Sequence, residues 1–170
     1  MKIYNFSAGP ACLPGPVLEA ASLASKQYKG TGMSLMEMSH RSKPVVELFE
    51  ETSSLIKELL AIPKNYCVLW LQGGASTQFS MVPLNLLPDN GSADYIETGS
   101  WSTKAISECE KIGKVNVIAS SKNGLFNFIP KDPRPNKESS YLHITSNNTI
   151  YGTQYKAYPE IKNYGASLIA

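Results

Sequence analysis

Apolar and polar residues follow two rhythms along this chain. In the first third the spacing is helical. Leu18, Ala21, Ser25 and Tyr28 recur at three- to four-residue intervals until Gly30, which predicts a helix. Pro16 suits its first turn, where a missing N–H costs nothing. Before it, Asn5-Phe6-Ser7-Ala8-Gly9-Pro10 and Leu13-Pro14-Gly15-Pro16 read as extended, turn-rich chain. Thr31 to Ser42 reads as a loop with an apolar patch, Met33 to Met38, ending in Ser39-His40-Arg41-Ser42. A second helix is the clearest periodic element: Val45, Leu48/Phe49, Thr52, Leu55/Ile56 and Leu59/Leu60 form one stripe. Glu47, Glu50 and Glu51 sit in its early turns, where the helix dipole favours negative charge, and Pro63 lies just past its end.

Beyond Pro63 the pattern becomes strand, helix, strand. Short apolar runs at Tyr66–Leu71, Ala93–Thr98, Val115–Ala119, Tyr141–Thr145 and Ser167–Ala170 predict strands. The first and second are separated by a helix opening at Gly73-Gly74, the second and third by a helix over Trp101–Lys111. An irregular stretch around Pro130, Pro133 and Pro135 precedes the fourth strand. This alternation predicts an α/β fold, a largely parallel sheet with flanking helices. The last run, Gly165-Ala166-Ser167-Leu168-Ile169-Ala170, resembles a core strand, whereas chain ends are usually frayed and polar; that predicts a fragment.

Composition narrows the function classes. Of 170 residues, 42% are hydrophobic and 18% charged, enough apolar content to drive collapse. A formal net charge of +2 from 16 basic and 14 acidic residues leaves no electrostatic footprint for nucleic acid. Cys12, Cys67 and Cys109 lack metal or disulfide spacing, and His40 lies far from His143; we expect free buried thiols and no metal site. The N-terminus has no signal-peptide pattern, and the apolar run Cys67–Leu71 is far too short to span a bilayer, so a cytoplasmic protein without a membrane partner is expected.

Candidate chemistry gathers where strands end. Gly73-Gly74-Ala75-Ser76-Thr77 joins a predicted strand to a helix. Open α/β sheets bind ligands at the carboxyl ends of strands, and a helix N-terminus there presents unpaired N–H groups to phosphate. The spacing matches neither GxxxxGK[ST] nor GxGxxG, which disfavours nucleotides. The same pattern also fits a plain tight turn with a Ser or Thr cap. Trp101, just after the second sheet strand, suits either stacking on a planar ligand or a core position. Thr149 follows the Tyr141–Thr145 strand, either as a donor to a ligand or as a turn residue. Arg41 is one of only two Arg residues, and its planar fork pairs with carboxylate or phosphate; a solvated surface role is the alternative. Ser76, Trp101 and Thr149 on one sheet edge point to a phosphorylated aromatic ligand.

Taken together, six stretches resemble the phosphoserine aminotransferases, which use pyridoxal 5'-phosphate (PLP) and have the aspartate-aminotransferase fold. They are Asn5-Phe6-Ser7-Ala8-Gly9-Pro10-Ala11, Met36-Glu37-Met38-Ser39-His40-Arg41, Leu71–Phe79, Ala93-Asp94-Tyr95, Gly99-Ser100-Trp101 and Asn148-Thr149-Ile150-Tyr151-Gly152. The resemblance implies an incomplete large domain of a fold type I PLP enzyme: residues 1–15 as an arm belonging to the small domain, residues 16–170 as the first part of the large PLP-binding domain. It implies amino transfer between glutamate and 3-phosphohydroxypyruvate to give phosphoserine and 2-oxoglutarate, in serine and, in many bacteria, pyridoxine biosynthesis. It implies a homodimer with shared sites. In site terms it implies that Ala75 and Ser76 bind the cofactor phosphate, Trp101 stacks on the ring, Thr149 contacts the cofactor, and Arg41 with nearby His40 holds a substrate anion.

Three departures stand out. Ala8 replaces a Ser common in the family, so the substrate hydrogen bond of that Ser is not supplied here. Ala75-Ser76 replaces the Gly-Arg of some members. None of the 14 Lys residues lies in the family's Schiff-base Lys motif, and the Asp that pairs with the ring nitrogen is expected beyond Ala170. No catalytic residue is therefore assigned within the chain. The second reading is a non-catalytic fragment that binds PLP or phosphate weakly at most.

Overall fold

The structure is a computed structural model describing residues 3–9, 11–161 and 164–170. Met1 and Lys2 of the expected arm, and Pro10 of the expected Gly-Pro turn, lie outside the described residues. The chain forms two compact units, residues 1–70 and residues 71–170.

The first unit is helical. Helix α1 spans Gly15–Lys26, with Pro16 in its first turn as expected. The following loop folds back so that the Tyr28 N–H donates to the Met33 carbonyl at 2.8 Å. Inside the loop, Ser34 and Glu37 cap a single 3₁₀ turn, Leu35–Glu37: the Ser34 hydroxyl accepts from the Met36 N–H while Glu37 accepts from the Ser34 N–H. Helix α2 spans Lys43–Leu59 and buries Val45. Phe49 meets the Trp70 ring edge-on at 5.4 Å, and the Trp70 indole N–H donates to Ser53 at 2.9 Å.

The strand expected at Tyr66–Leu71 is not formed. No strand pairs with it among the described residues, and Leu69 is 68% exposed. A parallel-type strand needs a neighbour to satisfy its backbone, and an apolar run cannot supply one by itself.

The second unit is the expected α/β sheet. Strands β1 (Ser92–Glu97), β2 (Lys114–Ser120), β3 (Tyr141–His143) and β6 (Ser167–Ile169) form one sheet in the order β2-β1-β3-β6, every pairing parallel. Helices α3 (Gly74–Leu86) and α4 (Ser100–Glu110) flank it. Period-2 alternation divides the strands between two cores. Ala93, Tyr95 and Tyr141 face Ala105, Ile106, Cys109 and Phe79 of the helices. Ile96, Leu142 and Ile144 face the other way, covered by Tyr155 and Ile161. A short antiparallel hairpin, β4 (Asn147–Asn148) with β5 (Thr153–Gln154), was not expected; Gly152, at φ 71°, provides its left-handed turn position.

Asp94 is buried at the centre of the sheet, with no ion pair among the described residues. Its carboxylate accepts from the Asn116 amide, the Ser139 hydroxyl, and both the backbone N–H and side-chain amide of Asn136. These donors tie β2 and the Pro-rich stretch to β1. Cys109 is buried as expected, but Cys12 and Cys67 are exposed, because the segments carrying them join no core. Among the described residues no helix is long and apolar enough to cross a membrane.

Candidate functional site

The site is built at the carboxyl ends of β1 and β3. The chain enters α3 through Gly73, which holds φ 87°, and Gly74, which holds φ 59°. Such angles are costly for residues with a Cβ. At Gly73 there is also no room for one: an added Cβ lies 2.2 Å from Thr77 Oγ1 and 2.5 Å from Thr77 Cβ. The close packing lets the Thr77 hydroxyl donate back to the Gly73 carbonyl at 2.9 Å. No side chain caps the helix, so the first-turn N–H groups at Gly74, Ala75 and Ser76 have no capping acceptor. That donor set, with the positive end of the helix dipole, fits a phosphate.

Trp101 forms the opposite wall from the first turn of α4. That turn is fixed by Ser102, whose buried hydroxyl accepts from the N–H groups of Thr98 and Gly99 at 2.8 and 3.0 Å. Gly99 is required here by close approach, since an added Cβ would come within 2.8 Å of the Tyr151 ring. Trp101 itself is 40% exposed, so it is a wall rather than a core residue. Between the wall and the cradle lies a cavity of about 370 Å³, lined by Gly73, Gly74, Ala75, Ser76, Phe79, Trp101, Thr145 and Asn147.

The structure therefore brings together Ala75, Ser76 and Trp101 of the expected site residues. Thr149 lies in the β4–β5 turn, exposed and outside this lining, where its hydroxyl accepts from the Asn147 amide at 3.4 Å. His40 and Arg41 belong to the first unit; both are exposed in the turn before α2, where the Arg41 N–H donates to the Ser39 hydroxyl at 3.2 Å. Asn148 is buried and accepts from the Thr98 hydroxyl at 3.2 Å, joining the end of β1 to the hairpin.

Sequence reasoning missed Lys104. Its ammonium donates to Ser76 Oγ at 2.8 Å, bringing a positive charge to the rim of the cradle. The signal was present, because Lys104 lies three residues past Trp101 and so shares its helix face. Thr145 and Asn147 were also missed as lining residues. The expected strand over Tyr141–Thr145 masked them, since that strand ends at His143.

Comparisons with known proteins agree with this fold. The family model described as Aminotransferase class-V matches residues 3–169. The phosphoserine aminotransferase of Bacillus thuringiensis subsp. konkukian is 54% identical over 162 residues, covering 94% of this chain and 45% of its own. Two solved structures are similar. The phosphoserine aminotransferase from Bacillus circulans subsp. alkalophilus has a TM-score of 0.92 at 44% identity, covering 98% of this chain and 46% of its own. The PLP bound phosphoserine aminotransferase from Trichomonas vaginalis has a TM-score of 0.87 at 33% identity, covering 98% and 47%. The chain thus spans about half the length of the relatives it matches.

Proposed function

The chain belongs to the class-V aminotransferase family, and from that premise we propose that it carries the PLP-binding part of a phosphoserine aminotransferase. The observation that carries this reading is the uncapped, glycine-entered N-terminus of α3 facing Trp101 across one cavity. The α3 N–H groups of Ala75 and Ser76 hold the cofactor phosphate, Lys104 offsets its charge, and Trp101 covers the ring and excludes water from that face. When bound, the cofactor supplies the electron sink for amino transfer between glutamate and 3-phosphohydroxypyruvate, yielding phosphoserine. We place Thr149 as a further cofactor contact and Arg41, with His40, as the holder of a substrate anion; Arg suits this because its fork pairs with carboxylate or phosphate in two parallel bonds.

The same reading makes residues 1–15 an arm of a small domain and residues 16–170 the first part of a large domain. It also makes the working protein a cytoplasmic homodimer serving serine and pyridoxine synthesis.

The test is binding of PLP and of inorganic phosphate by titration calorimetry, on the parent and on Trp101→Ala. PLP should bind more tightly than phosphate, and Trp101→Ala should erase most of that difference. Equal weakening of both ligands would remove Trp101 from the ring site.

A further inference from the structure

The chain entering Trp101 is gripped twice. Ser102 caps it from inside the fold, and Tyr151 of the β4–β5 turn packs on it from outside. The Tyr151 ring lies so near Gly99 that an added Cβ would meet it at 2.8 Å, and the Tyr151 hydroxyl is 3.3 Å from that of Ser100. Gly99 and Ser100 are the two residues before Trp101.

Tyr151 is itself braced. The Phe126 ring meets it edge-on, with centroids 4.8 Å apart. Phe126 stands in the loop after β2, and that loop is strained: Leu125 and Phe126 are consecutive non-glycine residues at φ 52° and 60°. The left-handed region is unfavourable for one residue with a Cβ, and doubly so for two in a row. Such a conformation lasts only where its surroundings over-determine it. Here the Phe126 N–H donates to the Ser121 carbonyl at 3.0 Å, and the Ser121 N–H to the Glu97 carbonyl at 3.0 Å, which roots the loop in the end of β1. Leu125 is 83% exposed, so its own burial does not offset the strain. What the strained turn achieves is the aim of the Phe126 ring at Tyr151. The hairpin needs that brace, because β4 and β5 have two residues each and so short a ribbon is not stable by itself.

We propose that Tyr151, braced by Phe126, is a positioning residue: it sets where Trp101 stands and keeps the hairpin, with Asn147 and Thr149, against that wall before any ligand arrives. Tyr151 does not line the cavity, so it acts through Trp101. The identity of the ligand used below rests on the PLP reading above.

The experiment is ¹H–¹⁵N NMR of the indole N–H groups together with titration calorimetry, on the purified protein. The chain has two Trp, Trp70 and Trp101, so the signal lost in Trp101→Phe assigns both. Without ligand, Tyr151→Ala should shift or broaden the Trp101 signal and leave that of Trp70 in place. It should weaken PLP about tenfold and leave inorganic phosphate unchanged, the retained phosphate affinity showing that the cradle is folded. Tyr151→Phe keeps the ring packing and should restore most of the PLP affinity. Phe126→Ala should reproduce the Trp101 shift in weaker form. An unmoved Trp101 signal in Tyr151→Ala overturns this inference and spares the cofactor reading. A Trp101 signal that moves in Tyr151→Ala, with a parent that binds phosphate but not PLP, overturns the cofactor reading alone. Equal weakening of both ligands would make Tyr151 merely structural and overturn the assignment.

Discussion

Gly73→Ala tests the cradle directly. The new Cβ would lie 2.2 Å from Thr77 Oγ1, 2.5 Å from Thr77 Cβ and 2.9 Å from Thr77 Cγ2. Rotating the Thr77 side chain relieves the first and third contacts but not the second, so the backbone must move. A residue with a Cβ also costs ~1–2 kcal/mol at the left-handed φ of 87°. If Thr77 is displaced, its bond to the Gly73 carbonyl goes too, for ~0.5–1.5 kcal/mol. The smaller ends of these ranges already sum to ~1.5 kcal/mol before any overlap, and we take ~2 kcal/mol as the working figure. That corresponds to about 30-fold in an equilibrium constant. The loss falls on phosphate affinity if the first turn of α3 rearranges, and on unfolding free energy if it does not. Titration calorimetry with inorganic phosphate and urea unfolding together capture both routes. Gly74→Ala is the internal control: φ is 59° but nothing lies within 4 Å of its Cβ, so it should cost only ~1 kcal/mol. Parent-like affinity and parent-like stability in Gly73→Ala would refute the steric argument, and with it the rigid cradle.

Two further outcomes follow from the same unit. Lys104→Gln keeps a donor near Ser76 but removes the charge; phosphate and PLP affinity should fall about threefold to tenfold at low ionic strength and converge on the parent at high salt, because the pair is exposed and screened. His143 has a folded pKa depressed to about 4, below its ordinary 6.5, by burial. The unfolded chain therefore takes up a proton first as pH falls, and stability is lost between pH 6.5 and pH 4, by up to ~3 kcal/mol. Urea unfolding across that window should show a shallower loss in His143→Phe than in the parent; identical slopes would mean that His143 is not desolvated as the fold implies.

What could be read from the residues depended on whether each signal was local. Helix α2 carries its own periodicity and flanking prolines, so its limits were legible to within a few residues. The Gly73-Gly74 turn, with Ser and Thr following it, marked a helix start, which the structure leaves uncapped; whether it was a plain turn or an anion cradle was not legible from the residues. Trp101 was legible as a wall only once a strand end could be placed before it. The contact of Lys104 with the cradle was not legible, because it arises from a pair distant in sequence, Lys104 with Ser76. Tyr66–Leu71 shows the converse. Its apolar run has every local mark of a core strand, yet a strand is a relation between segments, and no partner strand is present among the described residues. The exposed side chains of that run and the orphaned atoms of His143 and Thr145 are the same kind of evidence, one apolar and one polar. Each lacks the partner its chemistry calls for, apolar cover in the one case and a hydrogen bond in the other.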